Sequence, residues 1–334
     1  MHDELVTELE RLIRRDPGQR GLLGQTGEQH QFGVGSLSRA ATELATRAKS
    51  VVLVTGFYIP GANIPASETD GPPGTLYLAK LLEQLGIEVT VVTDSYSASA
   101  VKSVARHFQF STTQVHVVPQ EPEADWCREF FETGPGCQIT HLVAIERAGP
   151  GYTSEIFLER YSEPDLAEFL NHVPIERQGG CHNMRGVNID AWTAPLHELF
   201  ESVAQFHPEV RTIGIGDGGN EIGMGQLDWR LIQSCLPLEG TGHIPCRVET
   251  DELIVAGTSN WGALALTAAV ALLKNRLDLI DSWTAEHHQL LLEKMVIEGP
   301  AVDGVTGQQE PTVDGLPFLT YIQPWLLMRQ LLNL

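Results

Sequence analysis

The segment Ile213–Gly225, IGIGDGGNEIGMG, sets one aspartate, one asparagine and one glutamate among six glycines. Glycine allows positive φ and close approach to a ligand. The few side chains left, Asp217, Asn220 and Glu221, are therefore candidates to hold a proton, an amine or a metal. Asp217 and Glu221 suit general acid–base work, and with Asn220 they form an oxygen set for a divalent ion such as Mg²⁺ or Mn²⁺. Gly218 and Gly219 would bring bare backbone up to a substrate. A plain structural turn is the competing reading. Gly214, Gly216 and Gly219 also satisfy G-x-G-x-x-G, but Asp217 inside the turn would repel a pyrophosphate and NEIGMG is a poor helix start. No nucleotide cofactor is expected.

Other loops carry chemistry of the same kind. Residues 59–74, IPGANIPASETDGPPG, hold Glu68, Thr69 and Asp70 among prolines and glycines that stiffen the loop. Asp70 is a third candidate catalytic carboxylate, with Glu68 and Thr69 as candidate substrate contacts; a solvated turn is the alternative. Arg147, beside a strand end, and Arg185, in Asn183-Met184-Arg185-Gly186, could clamp a substrate carboxylate through the guanidinium fork, with Asn183 beside them. A salt bridge to one of the 43 acids is equally open to each arginine. In Thr258-Ser259-Asn260-Trp261-Gly262 the hydroxyls, the amide and the N–H groups of a helix start could receive an anionic ligand, Ser259 and Asn260 foremost. Ordinary N-capping by either residue is the alternative. Asp303-Gly304 and Asp314-Gly315 read as turns first. The twelve histidines are scattered, without H-E-x-x-H spacing, and neither G-x-S-x-G nor a P-loop occurs.

These loops need strands to hold them. Strand-like runs alternate with helical patterns from Val51 onward, which predicts an α/β fold: a mostly parallel central sheet with helices on both faces, three layers in all, and the site at the carboxyl ends of the strands. Strands are expected at 51–58, 88–93, 114–118, 140–146, 211–215 and 253–256. Helices are expected at 74–85, 98–108, 121–131, 195–206, 227–234, 262–273, 285–296 and 318–332. One domain spanning 1–334 is expected, with a helical lead-in over 1–48 and an irregular insertion at about 149–190 that carries only a short helix near 164–172. A hydrophobic content of 42% supports a large core. A net charge of −21 with only 22 basic residues argues against a nucleic-acid or anionic-membrane partner, and no apolar run reaches the length of a membrane span. Five cysteines without a C-x-x-C pair, and an N-terminus unlike a signal or transit peptide, favour a reduced, cytoplasmic setting. Nothing in the sequence indicates an oligomeric state.

Taken in order, ETDGPPG at 68–74, ERAG at 146–149, NMRG at 183–186, GIGDGGNEIGMG at 214–225, GTSNWGALAL at 257–266 and the paired VDG turns resemble the D-glutamate cyclase family over nearly the whole chain. The resemblance implies conversion of D-glutamate to 5-oxo-D-proline with loss of water, on a small acidic amino acid as substrate. Mitochondrial animal members look longer, with a hydro-lyase-like domain ahead of the cyclase portion that this chain resembles. Ala148 stands where the family pattern implies proline. GDGGNE is also similar to the GDGxND metal loop of haloacid-dehalogenase-type phosphatases, which makes metal-dependent phosphoryl transfer an alternative, although the first strand carries no D-x-D nucleophile. A non-catalytic binder of acidic amino acids is another.

Overall fold

Runs such as Val51-Val52-Leu53-Val54 and His141-Leu142-Val143-Ala144-Ile145 are apolar at nearly every position, the pattern of strands covered on both faces. In the computed structural model, which describes residues 2–23, 32–236 and 240–334, they form β1 (Ser50–Thr55), β4 (Glu88–Asp94), β5 (Gln114–Val118), β6 (His141–Ile145), β7 (Arg211–Gly216) and β8 (Glu252–Val255), while β2 (Tyr58–Ile59) and β3 (Ala66–Ser67) make a separate antiparallel hairpin. The six-stranded sheet runs β5-β4-β1-β6-β7-β8, parallel throughout. The chain thus builds outward from β1 to β5, then returns past β1 and builds outward the other way. That reversal leaves a crevice at the carboxyl ends of β1 and β6, where open sheets of this kind hold ligands.

Alternate residues feed opposite layers. Val51 and Leu53 pack with helices His2–Ile13, Ser36–Arg47, Pro72–Gln84, Ala98–Phe108, Ser259–Leu273 and Ala285–Glu298. Val52 and Val54 pack with Trp126–Glu132, His197–Phe206 and Trp229–Cys235. Ser259–Leu273 is apolar almost all round and buried at every position but its last, as a helix inside the core should be. The expected lead-in belongs to the same core, through Val6, Leu9, Ile13, Leu37 and Leu44.

Several expected boundaries move for identifiable reasons. The strand expected at 51–58 stops at Thr55 because Gly56, with φ 111, turns the chain into the hairpin. The expected irregular insertion holds two helices, Ser154–Arg160, where Thr153 caps by accepting from the Ile156 N–H, and Glu163–His172, where Asp165 accepts from the Ser162 N–H. Phe157 stacks on Phe169 between them, and Trp229 from helix Trp229–Cys235 meets both edge-on, an apolar cluster apart from the main core. The helix expected from residue 262 begins at Ser259, because Thr258 is the N-cap and accepts from the Trp261 N–H. The helix expected at 318–332 is broken into Phe318–Tyr321 and Gln323–Leu332, with Pro324 in the first turn of the second.

Candidate active site

Two strand ends and the loop after the hairpin each deliver a carboxylate to the crevice. Asp217 follows β7, Glu146 follows β6 with a left-handed φ of 47, and Asp70 lies just beyond β3. One oxygen of each lies within 4.8 Å of the others. Gly71 permits this crowding, since its φ is 93 and a Cβ there would sit 2.6 Å from the Glu146 Cβ. Glu68 and Asp314 add two more buried acids. Arg20 is set among them, its Nη1 2.5 Å from Asp217 Oδ2 and its Nη2 2.8 Å from Asp314 Oδ1. Arg20, Glu68, Glu146, Asp217 and Asp314 line a cavity of about 160 Å³, closed on its apolar side by Phe57, Ile59, Met184 and Val305. Asp70 touches the cluster without lining the cavity.

Burial pushes Glu68, Glu146 and Asp217 well above the usual carboxylate range. Repulsion from Glu221 and Asp70 adds to the effect at Glu146, whereas Arg20 opposes it at Asp217. Asp70 is pushed up to about 7 by burial and by Asp314, against the pull of the Asn260 and Ser259 N–H groups. So much buried negative charge around one guanidinium must be balanced by protons or by a further cation.

The residues singled out from sequence divide into those that face the cavity and those that build its walls. Glu221 faces it, but its carboxylate accepts from the N–H groups of Asp217 (2.9 Å), Gly218 (2.6 Å) and Gly219 (2.7 Å) and so fixes the glycine loop. Asn220 also faces it and donates through Nδ2 to the His182 carbonyl. The acids grouped with Asp217 closely enough to share an ion are thus Asp70 and Glu146, and the expected Glu221 is not among them. Asn183 and Arg185 lie at the rim, where Arg185 donates to the Val305 carbonyl and Asn183 Oδ1 accepts from the Arg185 and Val187 N–H groups.

Thr69, Ser259 and Asn260 stand behind the site. Thr69 donates to the Thr312 carbonyl, and Asn260 ties Gly71 and Gly74 to the Thr69 carbonyl. The Ser259 and Asn260 N–H groups, expected to meet a ligand, donate instead to the two oxygens of Asp70 at 2.7 and 2.8 Å, and the Ser259 hydroxyl donates to Glu146 Oε2 at 2.6 Å. Arg147 does not line the cavity. Its guanidinium is buried against Asp94 Oδ2 (2.5 Å) and the Gly56 and Ala194 carbonyls, which is the salt-bridge alternative. Glu146, Arg20 and Asp314 were not among the expected site residues. Glu146 had a signal, an acid directly after a buried strand as at Asp217; Arg20 had none.

Fold and site together define a doubly wound α/β protein with a carboxylate-walled cavity where its strand order reverses. A family model described as D-glutamate cyclase-like, C-terminal, matches residues 9–157 and 157–324, and the chain belongs to that family. Human mitochondrial D-glutamate cyclase is 28% identical over 341 aligned residues, covering 94% of this chain and 49% of the relative. The chain therefore spans about half the length of that protein. Among the described residues no helix is long and apolar enough to cross a membrane.

Proposed function

We propose that this protein is an intramolecular lyase that closes D-glutamate to 5-oxo-D-proline with release of water. The observation that carries the reading is the acid cluster around Arg20, whose unequal environments supply a base and an acid side by side. Asp217, ion-paired with Arg20, takes one proton from the α-ammonium. The freed amine attacks the γ-carboxyl carbon. Glu146, kept protonated by burial and by Glu221 and Asp70, and oriented by the Ser259 hydroxyl, delivers a proton to the departing oxygen. Of the three ammonium protons, one stays on the lactam nitrogen, one passes from the attacking nitrogen to the departing γ-oxygen, which leaves as water with the Glu146 proton, and the one on Asp217 then restores Glu146. Holding the substrate folded supplies proximity, worth roughly 7–11 kcal/mol in well-oriented intramolecular reactions.

The donor set Asp70, Glu146 and Asp217 is all oxygen and anionic, which suits Mg²⁺ or Mn²⁺. An ion held there would supply neutralisation of the γ-carboxylate in place of the Glu146 proton. The deciding experiment incubates purified protein with D-glutamate, L-glutamate and D-glutamine, with and without each metal, and resolves products by chiral mass spectrometry. The expected result is 5-oxo-D-proline from D-glutamate above the uncatalysed rate. No 5-oxoproline in any tube refutes the reading, and tight binding of unaltered D-glutamate would make the protein a binder instead.

A further inference from the structure

Three arginines lie near the cavity and differ in what they can offer a ligand. Arg147 is committed to Asp94 and two carbonyls. Arg185 is an exposed residue at the rim, tied to Val305. Arg20 alone among them, half-buried, both pairs with the acid cluster and forms part of the cavity wall. Its segment is firmly placed: the Asp16 carboxylate accepts from the N–H groups of Arg20 (2.9 Å) and Gly21 (2.7 Å), and the Ile13 carbonyl accepts from the Gly257 N–H. At Gly21, where φ is 87, a Cβ would stand 2.8 Å from the Cys235 carbonyl oxygen.

We propose that Arg20 is the receptor for the α-carboxylate of the substrate, its guanidinium exchanging the two bonds to Asp314 (Nη2 to Oδ1 at 2.8 Å, Nη1 to Oδ2 at 3.3 Å) for that carboxylate while its Nη1 keeps Asp217. The proposal rests on the cyclase reading and names which substrate group the site recognises. An amino acid carries its α-carboxylate and α-ammonium on one carbon, so a carboxylate seated on Nη2 brings the ammonium to Asp217, the acid on the neighbouring nitrogen. Asp314 is the partner that can be released. Its turn is held independently by Asp303, whose Oδ2 accepts from the Gly315 N–H (2.8 Å) and the Thr312 hydroxyl (2.7 Å). The acids that line the rest of the buried wall would repel a carboxylate.

The test compares D-glutamate with 4-aminobutyrate, which keeps the amine and the γ-carboxylate and lacks only the α-carboxylate. Calorimetric affinities and initial rates are taken for the wild type, Arg20→Met and Arg20→Lys. The wild type should favour D-glutamate by about 10- to 100-fold, the range of a charge-assisted hydrogen-bonded pair. Arg20→Met should bind the two ligands within about threefold of each other. Arg20→Lys should fall between, because lysine keeps the charge and loses the fork. A purely structural arginine would weaken both ligands in parallel and leave their ratio intact, which overturns the proposal. So does a wild type without the preference. If Arg20→Met does not fold, the wild-type and Arg20→Lys ratios decide by the same criterion. Turnover of D-glutamate with an unchanged ratio overturns the Arg20 assignment alone, whereas a wild type that neither binds nor converts D-glutamate overturns the cyclase reading and this proposal together.

Discussion

Replacing Glu221 by glutamine should weaken the fold itself. The carboxylate accepts three consecutive N–H groups, two on Oε1 and that of Gly219 on Oε2. Glutamine retains one acceptor oxygen, so the Asp217 and Gly218 bonds persist without their charge, and the Gly219 N–H meets an NH₂ group. A buried donor left without an acceptor costs about 1–3 kcal/mol, and turning two charge-assisted bonds into neutral ones costs about 1 kcal/mol each. Relief of the repulsion between Glu221 and Glu146 offsets part of this. The net loss should be about 2–3 kcal/mol, equivalent to a fall in melting temperature of roughly 3–4 °C for a chain of 334 residues. Calorimetric melting, with urea unfolding to check that the m-value is unchanged, measures it. A variant melting within about 1 °C of the wild type, or above it, would show that the three bonds are not what holds the glycine loop.

Asp217→Asn removes the acid paired with Arg20 and should cut turnover of D-glutamate by about 10²-fold or more while the circular dichroism spectrum stays native. Gly304→Ala places a methyl 1.9 Å from Glu68 Oε2; the carboxylate must swing away, so kcat/KM should fall about tenfold or more with little change in melting temperature. Glu83 gathers the N–H groups of Ser111, Thr112 and Thr113, and with Lys80 they outweigh burial and draw its pKa from 4.5 down to about 2. Its contribution is therefore complete above the unfolded value and lost as pH falls through the folded one, so Glu83→Gln should cost roughly 1–2 kcal/mol at neutral pH, after allowance for solvent screening, and its deficit in urea unfolding should shrink below pH 4.5.

The strands were legible because continuous apolar runs have few other uses in a chain of this composition, and their alternation with helical patterns announced the parallel sheet. Strand order was not, since nothing local in Val51–Thr55 or His141–Ile145 says that they are neighbours. The glycine loop drew attention to Asp217, which lines the cavity, and equally to Glu221, whose carboxylate is turned back onto the backbone. Arg147 drew attention through its place beside a strand end, and one residue earlier Glu146 is the side chain that faces the cavity. The first residue after β6 points into the crevice and the second away from it, a parity set by the backbone at Glu146 and unreadable from residue type. Arg20 reaches the site only because the segment after the first helix crosses the carboxyl end of the sheet, a tertiary fact without a local signature.

The contact between Asp70 and the start of helix Ser259–Leu273 decides what that helix end can receive. Doubly wound folds commonly greet a cofactor's phosphate with the free peptide groups of a helix start. Here the chain answers that invitation itself: Asp70 occupies the N–H groups of Ser259 and Asn260 with its own carboxylate. A helix start able to receive an anion serves here as an internal strut. It locks the ETDG loop to the core helix and fills that helix end with a carboxylate of the chain's own.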